Sequence, residues 1–541
     1  MAQRPENYVE LYDVSPRDGD QACGVNLSTD DKLWFAREDD RLGIDAVEGG
    51  FPASNDTDAL VFSTLAQEPL PRTQLAAFGM TRRKRTGVEH DAGIAALAAA
   101  GTPIITLVGK SSRFHVTHAL GTSVEENCAM IRESIEHLRA LHKQVFYDAE
   151  HFFDAMREDS EHALRTLEAA WQAGASRLVL CDTNGGHVPE SIGRTVEHVR
   201  AAFRDAVIGI HTHNDRGLAV ANMRAAVQAG ARHVQGTWNG FGERAGNMDL
   251  SQAVPNLVLD GYRTGMENRL PEITPHAHAV DRRIRQRHRP EQPFVGERAF
   301  AHKGGMHASA VACNAAAYEF MPPERVGNCR RILGSKQSGL SNVRSIVEQA
   351  ALLDDATRTQ VLADKNLQMR ILGKIKHLES IGYSLDNAPA TLELTILRAL
   401  DLFHPAIAEV TPPHIDDDVG GITRAIVHVR INGSGNTYLE VAQGGGPLGA
   451  LEKALKKALV RTFPNVESMQ LEEYRSDVPP GIDPTMSAII QVRMGFGDGT
   501  HRWCTTGANE DSTKAGWDAL LDAIEYKILL DAHLPDHATN H

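Results

Sequence analysis

Between Val9 and Gly240 eight short apolar runs recur: VELYDVS, DAVEGGF, QLAAFGM, IITLVGK, QVFYDAE, RLVLCDT, VIGIHTH and HVQGTWNG. Stretches with helical periodicity separate them, among them STDDKLWFAREDDRLG, EHALRTLEAAWQAGA and AVANMRAAVQAGA, the last two closing on a Gly-Ala stop. Strands that alternate with helices pair in parallel, because each connection must cross back over the sheet face. Eight such units predict an α/β fold, a closed (β/α)8 TIM barrel. An open doubly wound sheet is the alternative that the pattern leaves standing.

After Gly261 the pattern changes. The polar, proline-bearing MENRLPEITPHAHAVDRRIRQRHRPEQP reads as a helix-containing connector, and FVGERAFAHKGGMHASAVACN follows it with His302 and His307 around a glycine pair. Residues 342–385 read as largely helical. Near the C-terminus AIVHVRINGSGNTYLEVAQGGGPLGALEKALKKAL resembles AIIQVRMGFGDGTHRWCTTGANEDSTKAGWDALLDAI. Each predicts a strand, a glycine-rich hairpin, a second strand and an amphipathic helix. The expected domains are a barrel over 1–275, a linker and helical subdomain over 276–390 that contributes to the active site, and an α+β regulatory domain with an internal repeat over 391–541. The repeat carries no catalytic cluster, so a binding or dimerising role is expected of it.

Composition narrows the partners. A net charge of −14 argues against nucleic acid. No run of apolar residues is long enough to span a membrane, and the N-terminal MAQRPENYVELYDV lacks a signal peptide's apolar core. Six cysteines without a CxxC pair suit reduced thiols and a cytoplasmic location.

In a barrel the chemistry sits at the C-terminal ends of the strands. His211 and His213 close the seventh run, and alternate strand residues share a face, so the two imidazoles point the same way. Asp18, beside Arg17, follows the first run. Asp18, His211 and His213 would form a carboxylate–imidazole site with open positions, suited to Mn²⁺, Zn²⁺ or Mg²⁺. An iron-oxygenase triad has the same donors, but on a different, double-sheet fold. Asn247, in GFGERAGNMDL, is a candidate neutral oxygen ligand, although its spacing alone suits a turn asparagine. A metal that holds a 2-oxo acid would polarise its carbonyl, and Arg17 would add positive charge where an alkoxide develops. Glu48, Lys110, Glu150, Thr183 and Asn239 end other runs.

LYDVSPRDGDQ, VEGGFPASN, GKSSRFHVTHAL, YDAEHFFD, CDTNGG, GIHTHND, GFGERAGN, AFAHKGGMHAS and ANEDSTKAGWDALLDAIEYK together resemble the citramalate synthases, a branch of the 2-isopropylmalate and homocitrate synthases. The resemblance covers nearly the whole chain. It implies a Claisen-type condensation of acetyl-CoA, as co-substrate, with pyruvate, followed by thioester hydrolysis. It implies Asp18, His211, His213 and Asn247 as metal ligands, Arg17 as the group that polarises the ketone, and Glu150 and His307 as acid–base residues. Thr183 is implied to hold the oxo-acid carboxylate, with Gln21, Glu48, Lys110 and Arg113 as further substrate-binding candidates. A homodimer and a branched-chain amino-acid effector, isoleucine, at the C-terminal domain are also implied.

The chain departs from the family pattern in the mouth loops. DVSPRDG stands for DTTLRDG, GKSSRFHV for GKSWDLHV and GERAGNMDL for GERCGNANL. Arg113 replaces an acidic residue: turned inward it would favour a larger, anionic 2-oxo acid, and turned outward it is a surface charge. The basic loop TRRKR at 81–85 reads as solvated rather than as a clamp for CoA phosphates. A carbon–carbon lyase on the same barrel and a non-catalytic sensor are the competing classes. The long C-terminal part disfavours the first, and the retained polar set disfavours the second.

Overall fold

The computed structural model describes residues 4–304, 307, 310, 311, 313–333, 339–417, 423–477 and 489–533. It divides into two compact units, Met1–Phe300 with Pro323–Cys329, and Ala301–Pro322 with Arg330–His541.

In the first unit the eight apolar runs form β1 (Glu10–Asp13), β2 (Ala46–Glu48), β3 (Gln74–Met80), β4 (Ile104–Lys110), β5 (Gln144–Glu150), β6 (Arg177–Asp182), β7 (Ile208–Thr212) and β8 (His233–Gly236). They pair in sequence order and close into a barrel, with β8 parallel to β1 through Glu10↔His233 to Asp13↔Gly236. The open-sheet alternative is thereby excluded. Tyr12, Ala46, Ala76, Ile104 and Phe146 pack together inside. The crossing helices begin on caps written in the sequence. Ser28 and Asp31 form a reciprocal capping box for Thr29–Leu42, Asn55 caps Asp56–Gln67 and Ser123 caps Val124–Ala140.

The second unit holds the terminal repeat. Strands Ile407–Asp417, Thr423–Ile431 and Thr437–Gly444 form one antiparallel sheet with helix Pro447–Leu459 against it. Strands Gln470–Asp477, Ile490–Gly497 and Arg502–Asn509 form another, followed by helix Ser512–His533. The sheets alternate exposed and buried residues, as in Thr423–Ile431, because one face carries the helix. One core runs from Val343 and Ile371 in the helical segment through Leu394 to Val427, Leu451, Phe496 and Trp517 in the repeat. No helix among the described residues is long and apolar enough to cross a membrane.

Candidate active site

The barrel brings Asp18, after β1, together with His211 and His213, at the end of β7. Their ligand atoms all lie within 4.8 Å of one another and all three residues are buried. His211 Nε2 is 3.4 Å from His213 Nε2 and 3.5 Å from Asp18 Oδ2. His211 Nδ1 donates to Gln235 Oε1 at 2.9 Å, which leaves the Nε2 lone pair free for the centre of the group. Gln235 Nε2 in turn donates to Asp148 Oδ1 at 3.1 Å.

Asn247 is buried, donates Nδ2 to Asp18 Oδ1 at 3.3 Å and leaves its own Oδ1 without a donor. It sits in a loop that leaves little room. Gly246 has φ +92°, and a Cβ there would run into the Gly240 carbonyl. A turn asparagine faces solvent, whereas this one is buried with its side chain on Asp18.

The protonation states suit a cation. Burial pushes the Asp18 carboxyl up, but the Arg17 guanidinium and then the two imidazoles outweigh it and hold it at about 2. Burial, and then His211, push His213 down to about 4, so its imidazole is neutral at physiological pH. A carboxylate, two imidazoles and an orphaned amide oxygen are the donor set of a hard or borderline divalent cation. The residues therefore fit one.

Arg17 is clamped. Its Nε donates to Glu48 Oε1 at 2.5 Å, its Nη1 lies 3.2 Å from Asp18 Oδ2, and its guanidinium stacks 3.9 Å above the Phe78 ring. Glu48, a substrate-binding candidate by sequence, is fully buried beneath Arg17, accepts the Tyr12 hydroxyl at 2.9 Å and does not line the cavity. It holds Arg17 in place.

A cavity of about 300 Å³ opens over this group, lined by Arg17, Asp18, Gln21, Lys110, Glu150, Thr183, His211 and His213. Lys110 and Glu150 are ion-paired across β4 and β5. A second cavity of about 760 Å³ shares Phe51, Met80, Val108, Lys110 and Glu150 with the first, and runs out past Arg83, Lys84 and Leu120. The basic loop is thus not simply solvated: Arg82 is buried and paired with Glu126 and Glu133, while Arg83 and Lys84 face the second cavity.

Arg113 does not join the group. It is half exposed and its Nη2 lies 2.7 Å from Asp159 Oδ2, on the outer side of the loop after β4. Asn239 is buried against Asp281 and the Ala277 carbonyl, away from the metal-site group. His307 belongs to the second unit, where it is exposed and stacks on Tyr318 at 4.1 Å; its neighbours Gly305 and Met306 lie outside the described residues.

Sequence reading missed Asp148, Gln235 and Arg244. Strand periodicity carried a signal for the first, since Asp148 and Glu150 alternate onto one face of β5. Asp148 is buried at the cavity wall, and burial, then Glu48, push its carboxyl up to about 8. Arg244 had no local signal: it latches Asp215 at 2.8 Å and the Thr183 carbonyl at 2.7 Å from a separate loop.

Comparison with known proteins gives three consecutive matches. Residues 8–274 match the HMGL-like family, 294–371 the homocitrate synthase post-HMGL domain-like family, and 399–528 the LeuA allosteric (dimerisation) domain. The chain is 40% identical to the (R)-citramalate synthase of Aquifex aeolicus over 97% of its own length and 98% of that protein. It is also 40% identical to the (R)-citramalate synthase of Synechocystis, with 96% of each covered. The Bacillus subtilis HMG-CoA lyase structure aligns with a TM-score of 0.45 at 23% identity, covering 52% of this chain and 95% of that one.

Proposed function

This chain belongs to the citramalate synthase family, and from that premise we propose how its residues divide the work of the family's reaction. The enzyme condenses acetyl-CoA with pyruvate and hydrolyses the thioester, releasing citramalate and CoA. The observation that carries the assignment of the site is the convergence of Asp18, His211 and His213 at the floor of the barrel-mouth cavity.

Asp18, His211, His213 and the free Oδ1 of Asn247 would hold a divalent cation, Mn²⁺, Mg²⁺ or Zn²⁺, which when bound supplies Lewis-acid polarisation of the oxo-acid carbonyl. Arg17, fixed by Glu48 and Phe78, places a permanent positive charge beside that carbonyl, where an alkoxide develops. Thr183 accepts the His151 backbone N–H at 2.9 Å, so its own hydroxyl proton is free to reach the pyruvate carboxylate. Glu150 takes the methyl proton of the acetyl group, held in place by Lys110. The second cavity, apolar near Phe51, Met80 and Val108 and basic at Arg83 and Lys84, suits the pantetheine arm and phosphates of CoA. Because Arg113 is engaged by Asp159, it offers no grip for a second anionic group on the oxo acid, which favours pyruvate. His307 retains its proposed acid–base role from the family motif. The C-terminal repeat is proposed to dimerise the chain and to bind isoleucine.

A thiol-release assay of acetyl-CoA with pyruvate, 2-oxoisovalerate, 2-oxoglutarate and oxaloacetate tests the whole reading. Pyruvate is expected to give the highest kcat/KM. A preference for an acidic oxo acid would overturn the substrate assignment, and no thiol release with any of them would overturn the site.

A further inference from the structure

The reaction has a proton balance. Acetyl-CoA, pyruvate and water become citramalate, the CoA thiol and one proton, because the carboxylic acid made from the thioester ionises at neutral pH. One proton must therefore leave the barrel mouth in every turnover. Glu150 lines both cavities, so substrates that fill them separate its carboxylate from bulk water.

His151 stands behind Glu150 with each ring nitrogen turned to a different carboxylate. Nε2 is 4.0 Å from Glu150 Oε1, and Nδ1 is 3.9 Å from Asp154 Oδ2. The other Glu150 oxygen faces Lys110. His151 Nδ1 is sealed from solvent and has no hydrogen-bond partner. The ring stacks on His115, with centroids 4.0 Å apart and planes at 10°, which limits its rotation. The residue has φ +56°, a conformation that costs a β-substituted residue energy and is retained where the surroundings enforce it. Asp154 stands at the rim, where it accepts from Arg157, itself 77% exposed, and from Asn184. His187 Nε2 lies 3.9 Å from the same carboxylate.

We propose that His151 is the proton exit of the active site: it accepts at Nε2 the proton that Glu150 has taken up and releases the proton on Nδ1 to Asp154, which passes it to water. No bond other than these N–H and O–H bonds changes. The imidazole is left as its other tautomer, which resets by exchange with water when product leaves and the mouth opens. These separations exceed hydrogen-bond length, and contacts between catalytic groups that are long in the apo state tighten when substrate binds. The charged groups around the ring are Glu150 and Asp154, which favour the imidazolium, and Lys110 and His115, which disfavour it. Burial is the largest influence and lowers the imidazole pKa, so the ring is neutral between turnovers and free to accept. His151 acts through Glu150 and does not touch the reacting atoms, and the proposal rests on the acid–base reading of Glu150.

His151→Asn is the decisive variant, because asparagine tolerates the left-handed backbone and cannot pass a proton. In dilute buffer kcat is expected to fall by at least ~10-fold, with the pyruvate KM changed less than ~3-fold, and added imidazole should restore much of kcat. Asp154→Asn reaches the same route from its outer end, and should show a smaller loss with the same dependence on buffer. A wild-type rate in both variants overturns the proposal, and so does a loss that no concentration of imidazole or buffer repairs. Glu150→Gln separates the two readings. If it keeps activity, the acid–base role of Glu150 fails; if it is inactive while the His151 and Asp154 variants ignore buffer, only the relay fails.

Discussion

At the scale of single residues, burial decides what each charge can do. His213 is nearly sealed among Asp18, His211 and Asn247, and its lowered pKa keeps a lone pair available. His213→Ala is expected to lower metal affinity by ~10-fold or more and to remove thiol release while the circular dichroism spectrum stays native. Titration of the apoenzyme with Mn²⁺ measures the first directly. Wild-type affinity in that variant would show that the ligands lie elsewhere. A second buried pair concerns stability. Asp13 accepts from the Ser15 amide and hydroxyl, Asp39 accepts from the Trp238 indole at 3.0 Å, and the Oδ2 of each lacks a donor. Burial pushes Asp13 up to about 6 and, together with the charge of Asp13, raises Asp39 as well. The folded pair thus keeps a proton that unfolded aspartates lose near pH ~4. For Asp13 that stabilising contribution is full below that pH and is lost as pH rises through about 6. Asp39→Asn, which mimics the protonated partner, should flatten the loss of unfolding free energy between about pH 5 and pH 8. Parallel curves for variant and wild type would exclude the pair as the cause.

At the scale of elements, the strands present and the loops hold. The two histidines at the end of β7 share a face because strand side chains alternate, and this was readable from HTH alone. The loop after β8 is different. Asn247 reaches Asp18 only because Gly246 takes φ +92° and passes close to the Gly240 carbonyl. Gly246→Ala should therefore cost at least ~1 kcal/mol of stability and weaken Mn²⁺ binding, although residue 246 donates no ligand atom. Thermal unfolding and metal titration check both parts, and a variant with native affinity would place Asn247 outside the ligand set. The same loop also sends Arg244 to Asp215 and to the Thr183 carbonyl, which ties the ends of β6, β7 and β8 together. Nothing in the local pattern GERAGN announces that latch, since its partners lie 29 and 61 positions away.

At the scale of the whole molecule, the helical segment and the terminal repeat are not separable. Val343, Ile346, Ile371 and Ile375 share one core with Leu394, Leu451, Phe496 and Trp517. A chain ended at Ser384 would keep the first group and lose the second. It is expected to expose apolar surface, bind the dye ANS and scatter light, where the full chain does neither. A soluble, dye-silent truncation would mean that the helices carry a core of their own. The proposed binding of isoleucine is for the same reason best measured on the full chain, by titration calorimetry.

The chain order of apolar runs pointed to a barrel, because eight strand–helix units suit parallel closure, but only the pairing of β8 with β1 excluded an open sheet. It was also enough to bring Arg17, Asp18, His211 and His213 to one mouth, since each lies at or just beyond the C-terminal end of a strand. The repeat was legible for a similar reason, as hairpin glycines and helical periodicity are local signals. What the linear pattern left open was which polar residues face the cavity and which support those that do. Glu48 and Lys110 both end strands, yet only Lys110 lines the cavity; Arg113 turns out to Asp159; Asp148 and Gln235 stand behind His211. These outcomes depend on long-range pairs formed only when the barrel closes, and burial then sets the charge that each group carries.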